Sequence, residues 1–258
     1  MRDPGLDEAI RAAGGVGALA RKIGISQPSV SNWSRIPAER VLSVEAATGV
    51  SRGALRPDLF EEHAGAADVD EVDAARAQEY ALLSVLLARA PNAALLERLG
   101  TLRGNASPLG LAHAALADAA SRTNVKRSER EYFNLFIGLG RGELLPYGSY
   151  YLTGFLHERP LARLREDLGR LGIERVEGQA EPEDHAAILC EIMAGLASRR
   201  FPAAAGADRQ IFEQHLAPWI GRFFADLERA EAADFYRRVG MLGRVFIEIE
   251  TEALALPS

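Results

Sequence analysis

The sequence predicts an all-α protein: a small helix-turn-helix domain followed by a larger all-helical bundle. Two observations carry that expectation. From about residue 78 onward, every long segment spaces its apolar residues three and four apart, the period of a helix with one buried face. No run of useful length alternates apolar with polar residues, as a half-buried strand would.

The 258 residues are ample for one or two domains, and 48% hydrophobic with 26% charged is the balance of an ordinary soluble globular chain. The single cysteine, Cys190, has no intrachain partner for a disulfide and sits among apolar residues, which suits a buried inert thiol and a reducing compartment. No apolar run resembles a signal peptide or a membrane span, so a cytoplasmic protein without membrane insertion is expected. The net charge of −6 is unevenly spread: residues 1–60 carry +2 and residues 61–78 carry −5. This divides the chain into a head (1–60), an acidic linker (61–77) and a body (78–258).

In the head, Leu19, Ala20 and Ile23 form a short helical stripe, Gly24 supplies a left-handed turn, and Ser26 caps the next helix with Pro28 in its first turn. Val30 and Trp33, three apart, then face inward. This is helix-turn-helix spacing. The surrounding residues, from Ala9–Gly15 through Ile36–Val41 and Thr48–Val50 to Leu55–Phe60, resemble the YdaS/Cro-type repressor family across nearly the whole head. That resemblance implies a groove-facing set of Gln27, Ser29, Ser31 and Asn32, with Arg35 near phosphate. Amide side chains pair with an adenine edge, while an arginine adds charge without sequence information. A charge of +2 is thin for a duplex binder, and a head retained only for docking is the alternative.

In the body, Tyr80, Leu83 and Leu87 with Leu82 and Leu86 form a stripe that Pro91 ends; Leu95, Leu96, Leu99 and Leu102 continue in a second helix. Leu111, Ala114 and Ala115 suggest a third. Ser128 to Glu131 reads as a capping box that introduces Tyr132, Leu135, Phe136 and Leu139. Gly138, Gly140 and Gly142 stop that helix; because no strand precedes them, a dinucleotide loop is not expected. An aromatic loop, Leu144–Tyr151, leads to a helix over Pro160–Leu171. Two strongly apolar helices close the chain. Asp208 caps the first, Pro218 kinks it, and Phe235, Val239, Leu242, Phe246 and Ile249 form the buried face of the second.

Between these lies Glu181-Pro182-Glu183-Asp184-His185. A proline followed by Asp-His reads as a turn opening a helix, where Asp184 is either a cap or a binding group. Together with the Glu131–Gly138 segment and His215-Leu216-Ala217-Pro218-Trp219, it resembles the TorD/DmsD family of redox-enzyme maturation chaperones over roughly Gln78 to Leu254. The matching positions are Tyr132, Leu135, Phe136, Gly138, Pro146, Tyr147, Ser149 and Tyr151, then Glu181, Asp184 and His185, then His215, Pro218 and Trp219.

The resemblance implies a chaperone that binds the twin-arginine signal peptide and the apo form of a molybdopterin oxidoreductase, such as a formate dehydrogenase or a reductase. The leader would be held by Tyr132, Phe136, Tyr147, Tyr151, Glu181, Asp184, His185 and Trp219. Paired arginines need carboxylates, which Glu181, Glu183 and Asp184 offer, and apolar leader residues need an aromatic groove. Duplex DNA is a possible partner of the head. The alternative is a transcriptional regulator whose helical body is sensor and dimeriser. No cofactor is implied, the chain is a monomer or homodimer, and an enzyme is not expected: no nucleophile or metal-ligand spacing accompanies Asp184 and His185.

Overall fold

The computed structural model describes residues 3–56, 71–175, 178 and 180–255, and all the regular structure among them is helical. The exception is an isolated antiparallel bridge between Tyr147 and His185. The chain divides into two compact units, Met1–Asp68 and Val69–Ser258. Of the expected linker, residues 61–70 lie outside the described residues, as do Pro57 to Phe60 of the head motif; Glu71 to Ala77 are helical.

The first unit holds α1 (Pro4–Ala13), α2 (Val16–Lys22), α3 (Gln27–Ser31), α4 (Val41–Thr48) and α5 (Arg52–Leu55). Local signals set these bounds. Asp3 caps α1 by accepting from Gly5 N at 3.0 Å, and Ser26 caps α3 by accepting from Ser29 N at 3.3 Å. Gly24, at φ 70°, makes the left-handed turn between α2 and α3. Leu6, Leu19, Val30, Ile36, Val41, Val44 and Leu55 pack into one core, with Trp33 against it. Gln27, Ser29, Ser31, Asn32 and Arg35 all remain exposed, Arg35 pairing with Asp3 at 3.2 Å.

The second unit comprises α6 (Glu71–Ala88), α7 (Ala93–Gly100), α8 (Pro108–Arg122), α9 (Val125–Tyr132), α10 (Gly148–Thr153), α11 (Arg159–Arg170), α12 (Ala186–Ala197), α13 (Ala207–Ile211), α14 (Ala217–Arg229) and α15 (Phe235–Ala255). Helix α12, apolar on nearly every side, lies along α6; α15 packs against α14 and α8. Tyr80, Leu83, Leu116, Leu135, Leu189, Met193, Trp219, Phe223, Tyr236 and Phe246 belong to the common core.

Several local expectations are corrected by tertiary contacts. The Ser128–Glu131 pair is no capping box, because α9 begins earlier, at an Asn124 cap. The Ser128 hydroxyl instead donates to Val125 O at 3.0 Å, and the Glu131 carboxylate reaches the start of α15. Helix α8 buries Ala112, Leu116, Ala119 and Ala120, leaving Leu111 exposed. On α15, Ile249 is exposed and Glu250 is buried in its place, because Arg76 and Tyr80 donate to its carboxylate. Asp208 is not a cap either: Gly206 precedes α13, and Asp208 pairs with Arg76 at 2.9 Å.

Candidate functional site

The Glu181–His185 segment is positioned by backbone pairing with the loop before α10. Ala186 N donates to Pro146 O at 2.8 Å, and Gly148 N donates to Asp184 O at 2.9 Å. This pairing brings the start of α10 onto Asp184, whose Oδ2 accepts from Ser149 N at 2.7 Å. The cap of α12 therefore falls to His185, whose Nδ1 accepts from Ala187 N at 3.1 Å. Asp184 is thus not the helix cap.

A second strut comes from α14. The glycine at 148 lets α10 approach the indole closely: a Cβ there would lie 3.0 Å from Trp219 Nε1, and the ring would have to give way. Trp219 is completely buried and donates from Nε1 to His215 O at 2.7 Å. It supports the site from behind and offers no face to a ligand, contrary to its expected place among the binding residues. Pro218 produces no simple kink. It sits in the first turn of α14, and the helical run before it widens into a π-turn over Phe212–Leu216. His215 lies in that turn, with Nε2 2.6 Å from Asp167 Oδ2. Arg170 pairs with the other oxygen of Asp167.

These elements enclose a cavity of about 540 Å³ lined by Gly148, Asp184, Leu164, Asp167, Arg170, Gln210, Gln214 and His215, with Arg163 and Glu166 also contributing. Asp184 is only 3% exposed. Its Oδ1, like Ser149 Oγ, is buried with no hydrogen-bond partner among the described residues. A buried carboxylate oxygen without a donor is unfavourable, which singles out Asp184 among the cavity's residues.

The other candidate residues do not line this cavity. Tyr147 donates to Glu181 at 2.7 Å, and burial together with Glu181 holds its hydroxyl well above the usual tyrosine range. Burial, with a contribution from Glu181, raises Tyr132 to about 12. The Tyr132 hydroxyl donates to Leu87 O, and its ring meets Phe136 edge-on at 5.0 Å. Glu183 is held by Arg165 at 2.8 Å. Tyr151 donates to Asp226 at 3.0 Å and packs against Trp219 at 5.6 Å. Burial lowers the His185 pKa against the opposing influence of Glu181 and Asp184.

Of the three carboxylates expected to meet arginines, Glu181 and Glu183 are thus already bonded within the chain. The residue missed from the sequence is Asp167. Its signal was present, since it follows Leu164 at three residues on the face of α11 that buries Leu161, Leu164 and Leu168. A charged residue on an apolar stripe requires a buried partner, here His215.

Fold and cavity define the class: an all-helical protein with a helix-turn-helix head and, in its body, a carboxylate-lined cavity. Comparison with known proteins gives each part its relatives. Residues 103–225 match the nitrate reductase delta subunit family, and residues 6–64 match the family described as bacterial toxin YdaS. Chaperone protein TorD of Vibrio cholerae serotype O1 (strain ATCC 39315 / El Tor Inaba N16961) is 30% identical over 133 residues, 48% of this chain and 60% of that protein. TorD of Vibrio atlanticus (strain LGP32) is 24% identical over 156 residues, 55% of this chain and 73% of that protein. The Haemophilus influenzae (strain ATCC 51907 / DSM 11121 / KW20 / Rd) protein named Probable Tat proofreading chaperone DmsD is 30% identical over 114 residues, 43% of this chain and 54% of its own length. The chain spans about 60% of the length of the first of these relatives. A crystal structure described as a redox enzyme maturation protein from Archaeoglobus fulgidus aligns with a TM-score of 0.48 at 18% identity, covering 67% of this chain and 93% of that one. By sequence, the body is similar to the TorD/DmsD chaperones and the head to the YdaS family, as the motifs implied. No helix among the described residues is long and apolar enough to cross a membrane.

Proposed function

We propose that the body is a cytoplasmic maturation chaperone that binds the twin-arginine signal peptide of an exported molybdopterin oxidoreductase, such as a formate dehydrogenase or a reductase, before export. The likeness to TorD and DmsD supports the class. The observation that carries the reading is Asp184 Oδ1, buried in a residue that lines the cavity and without a donor among the described residues. A guanidinium supplies donors in a planar fork, and its charge offsets that of the carboxylate. The half-buried Tyr132, Phe136, Tyr147 and Tyr151, and the apolar Phe155 at 69% exposure, offer contacts for the leader's apolar residues.

Calorimetric titration of the chain with a synthetic leader tests this. Binding that is saturable, and is lost both on changing Arg-Arg to Lys-Lys in the leader and on Asp184→Asn in the protein, supports the reading; indifference to either change removes it.

A second proposal concerns the head alone. Its exposed Gln27, Ser29, Ser31, Asn32 and Arg35 form a polar face suited to a DNA groove, and its family match supports the comparison. Retention of a chromosomal fragment library should vanish on joint Gln27→Ala and Asn32→Ala substitution; equal retention by that variant rejects the assignment.

A further inference from the structure

A leader with two arginines has two guanidinium groups to satisfy, and the cavity contains a second buried carboxylate that the reading above leaves unused. Asp167 lines the same space as Asp184, with its side chain 7% exposed. Its two oxygens have partners of opposite character. His215, on Oδ2, is itself buried and fixed in the π-turn. Arg170, on Oδ1, belongs to the same helix three residues later, and its side chain is 71% exposed. The arginine can return to water at little cost, whereas the carboxylate is fixed in the interior.

Resting on the assignment of one leader arginine to Asp184, we infer that Asp167 receives the other, and that the incoming guanidinium takes the place of Arg170. Arg170 is an internal stand-in: it keeps Asp167 satisfied when no leader is bound and competes with the leader for the same oxygen. The two acidic positions therefore differ. Asp184 Oδ1 is buried but holds no donor among the described residues, so an arriving cation displaces no ion pair there. Asp167 is guarded, and its occupant must outcompete a guanidinium. An ammonium, with one compact and strongly hydrated charge, is a poor substitute for that planar fork. Discrimination of arginine from lysine arises at the guarded position.

The test is titration of the full chain with the Arg-Arg leader and with its Lys-Arg and Arg-Lys forms. In the wild type, at least one single-lysine form binds more weakly than Arg-Arg. Arg170→Gln should tighten Arg-Arg binding by about two- to fivefold, the range that loss of a competing surface ion pair allows, and should narrow that gap. Asp167→Asn should weaken Arg-Arg binding by about tenfold or more and erase the gap, as expected on loss of a buried charge partner. Asp184→Asn should weaken all three leaders. Unchanged or weaker binding by Arg170→Gln, or a gap that persists in an Asp167→Asn protein melting as the wild type does, overturns the exchange and leaves the Asp184 assignment standing. Should Asp167→Asn fail to fold, the surface variant Arg170→Gln decides alone. No binding by the wild type, or indifference to Asp184→Asn, overturns both.

Discussion

Glu131 Oε1 accepts a hydrogen bond from the backbone N–H of Tyr236 at 2.6 Å, so a side chain at the end of α9 closes the start of α15. The same carboxylate also accepts from Asp234 N at 2.7 Å and Phe235 N at 3.2 Å. Three donors that the helix cannot satisfy internally thus meet one distant acid. Glu131→Ala should destabilise the body by about 2–3 kcal/mol in chemical denaturation, because those donors lose a charged acceptor. Glu131→Gln, which keeps one carbonyl oxygen, should lose less. Equal stability of wild type and Glu131→Ala would refute this assignment.

Arg76 joins α6 to α15 and α13 through Glu250 at 2.9 Å and Asp208 at 2.9 Å, with Tyr80 donating to Glu250 at 3.0 Å. Glu250 is 1% exposed, so Arg76→Ala leaves a buried charge without its counter-ion and should cost about 3–5 kcal/mol. A paired Arg76→Met, Glu250→Leu variant should recover much of that loss. A double variant no more stable than the single one would mean that the network is not governed by charge.

Gly148 is held against the Trp219 indole by both packing and backbone pairing. Gly148→Ala places a methyl group 3.0 Å from Trp219 Nε1 and should cost about 1–3 kcal/mol as the ring or α10 shifts. Leader affinity should fall with it, because Asp184 is bonded to the next residue, Ser149. Tryptophan emission reports the displacement; an unshifted spectrum with wild-type stability contradicts the packing argument.

The His185 pKa is lowered chiefly by burial, so the unfolded chain takes up the proton first as pH falls. Its contribution to stability is present above the unfolded value of about 6.5 and is lost as pH falls through the lower folded value. His185→Asn keeps an α12 cap but does not titrate. Between pH 7.5 and 5.5, roughly the window around that unfolded value, wild-type stability should decline more than that of the variant. Parallel profiles would exclude His185 as the source.

Cys190 is wholly buried, and burial pushes its thiol up to about 12. A thiol reagent should leave the native protein unlabelled at neutral pH and modify it only at the rate of unfolding. Rapid labelling without unfolding would contradict its position in α12.

Much of this was legible in the sequence wherever the signal was local. Gly24, Ser26 and Pro28 act within a few residues of one another, which is why the α2–α3 turn could be read directly. The same holds for the buried stripe of α6. Local reading failed where a distant backbone competed for a side chain. Ser128 and Glu131 have the spacing of a capping box, yet Glu131 serves α15. Asp184 has the position of a cap, yet the Tyr147–His185 bridge turns its carboxylate to Ser149.

What the sequence determined by itself, then, was the helical class, most of the apolar faces and the kind of residue gathered near Glu181–His185, because periodicity and turn chemistry are short-range. Which carboxylates share a cavity was decided only in the tertiary structure. Asp167 and Asp184 stand on separate elements, and they line one space because α11 packs beside the π-turn carrying His215, while backbone pairing locks Gly148 over Asp184. A buried charge takes its partner from whatever the packed chain brings within reach, and sequence spacing does not encode that proximity.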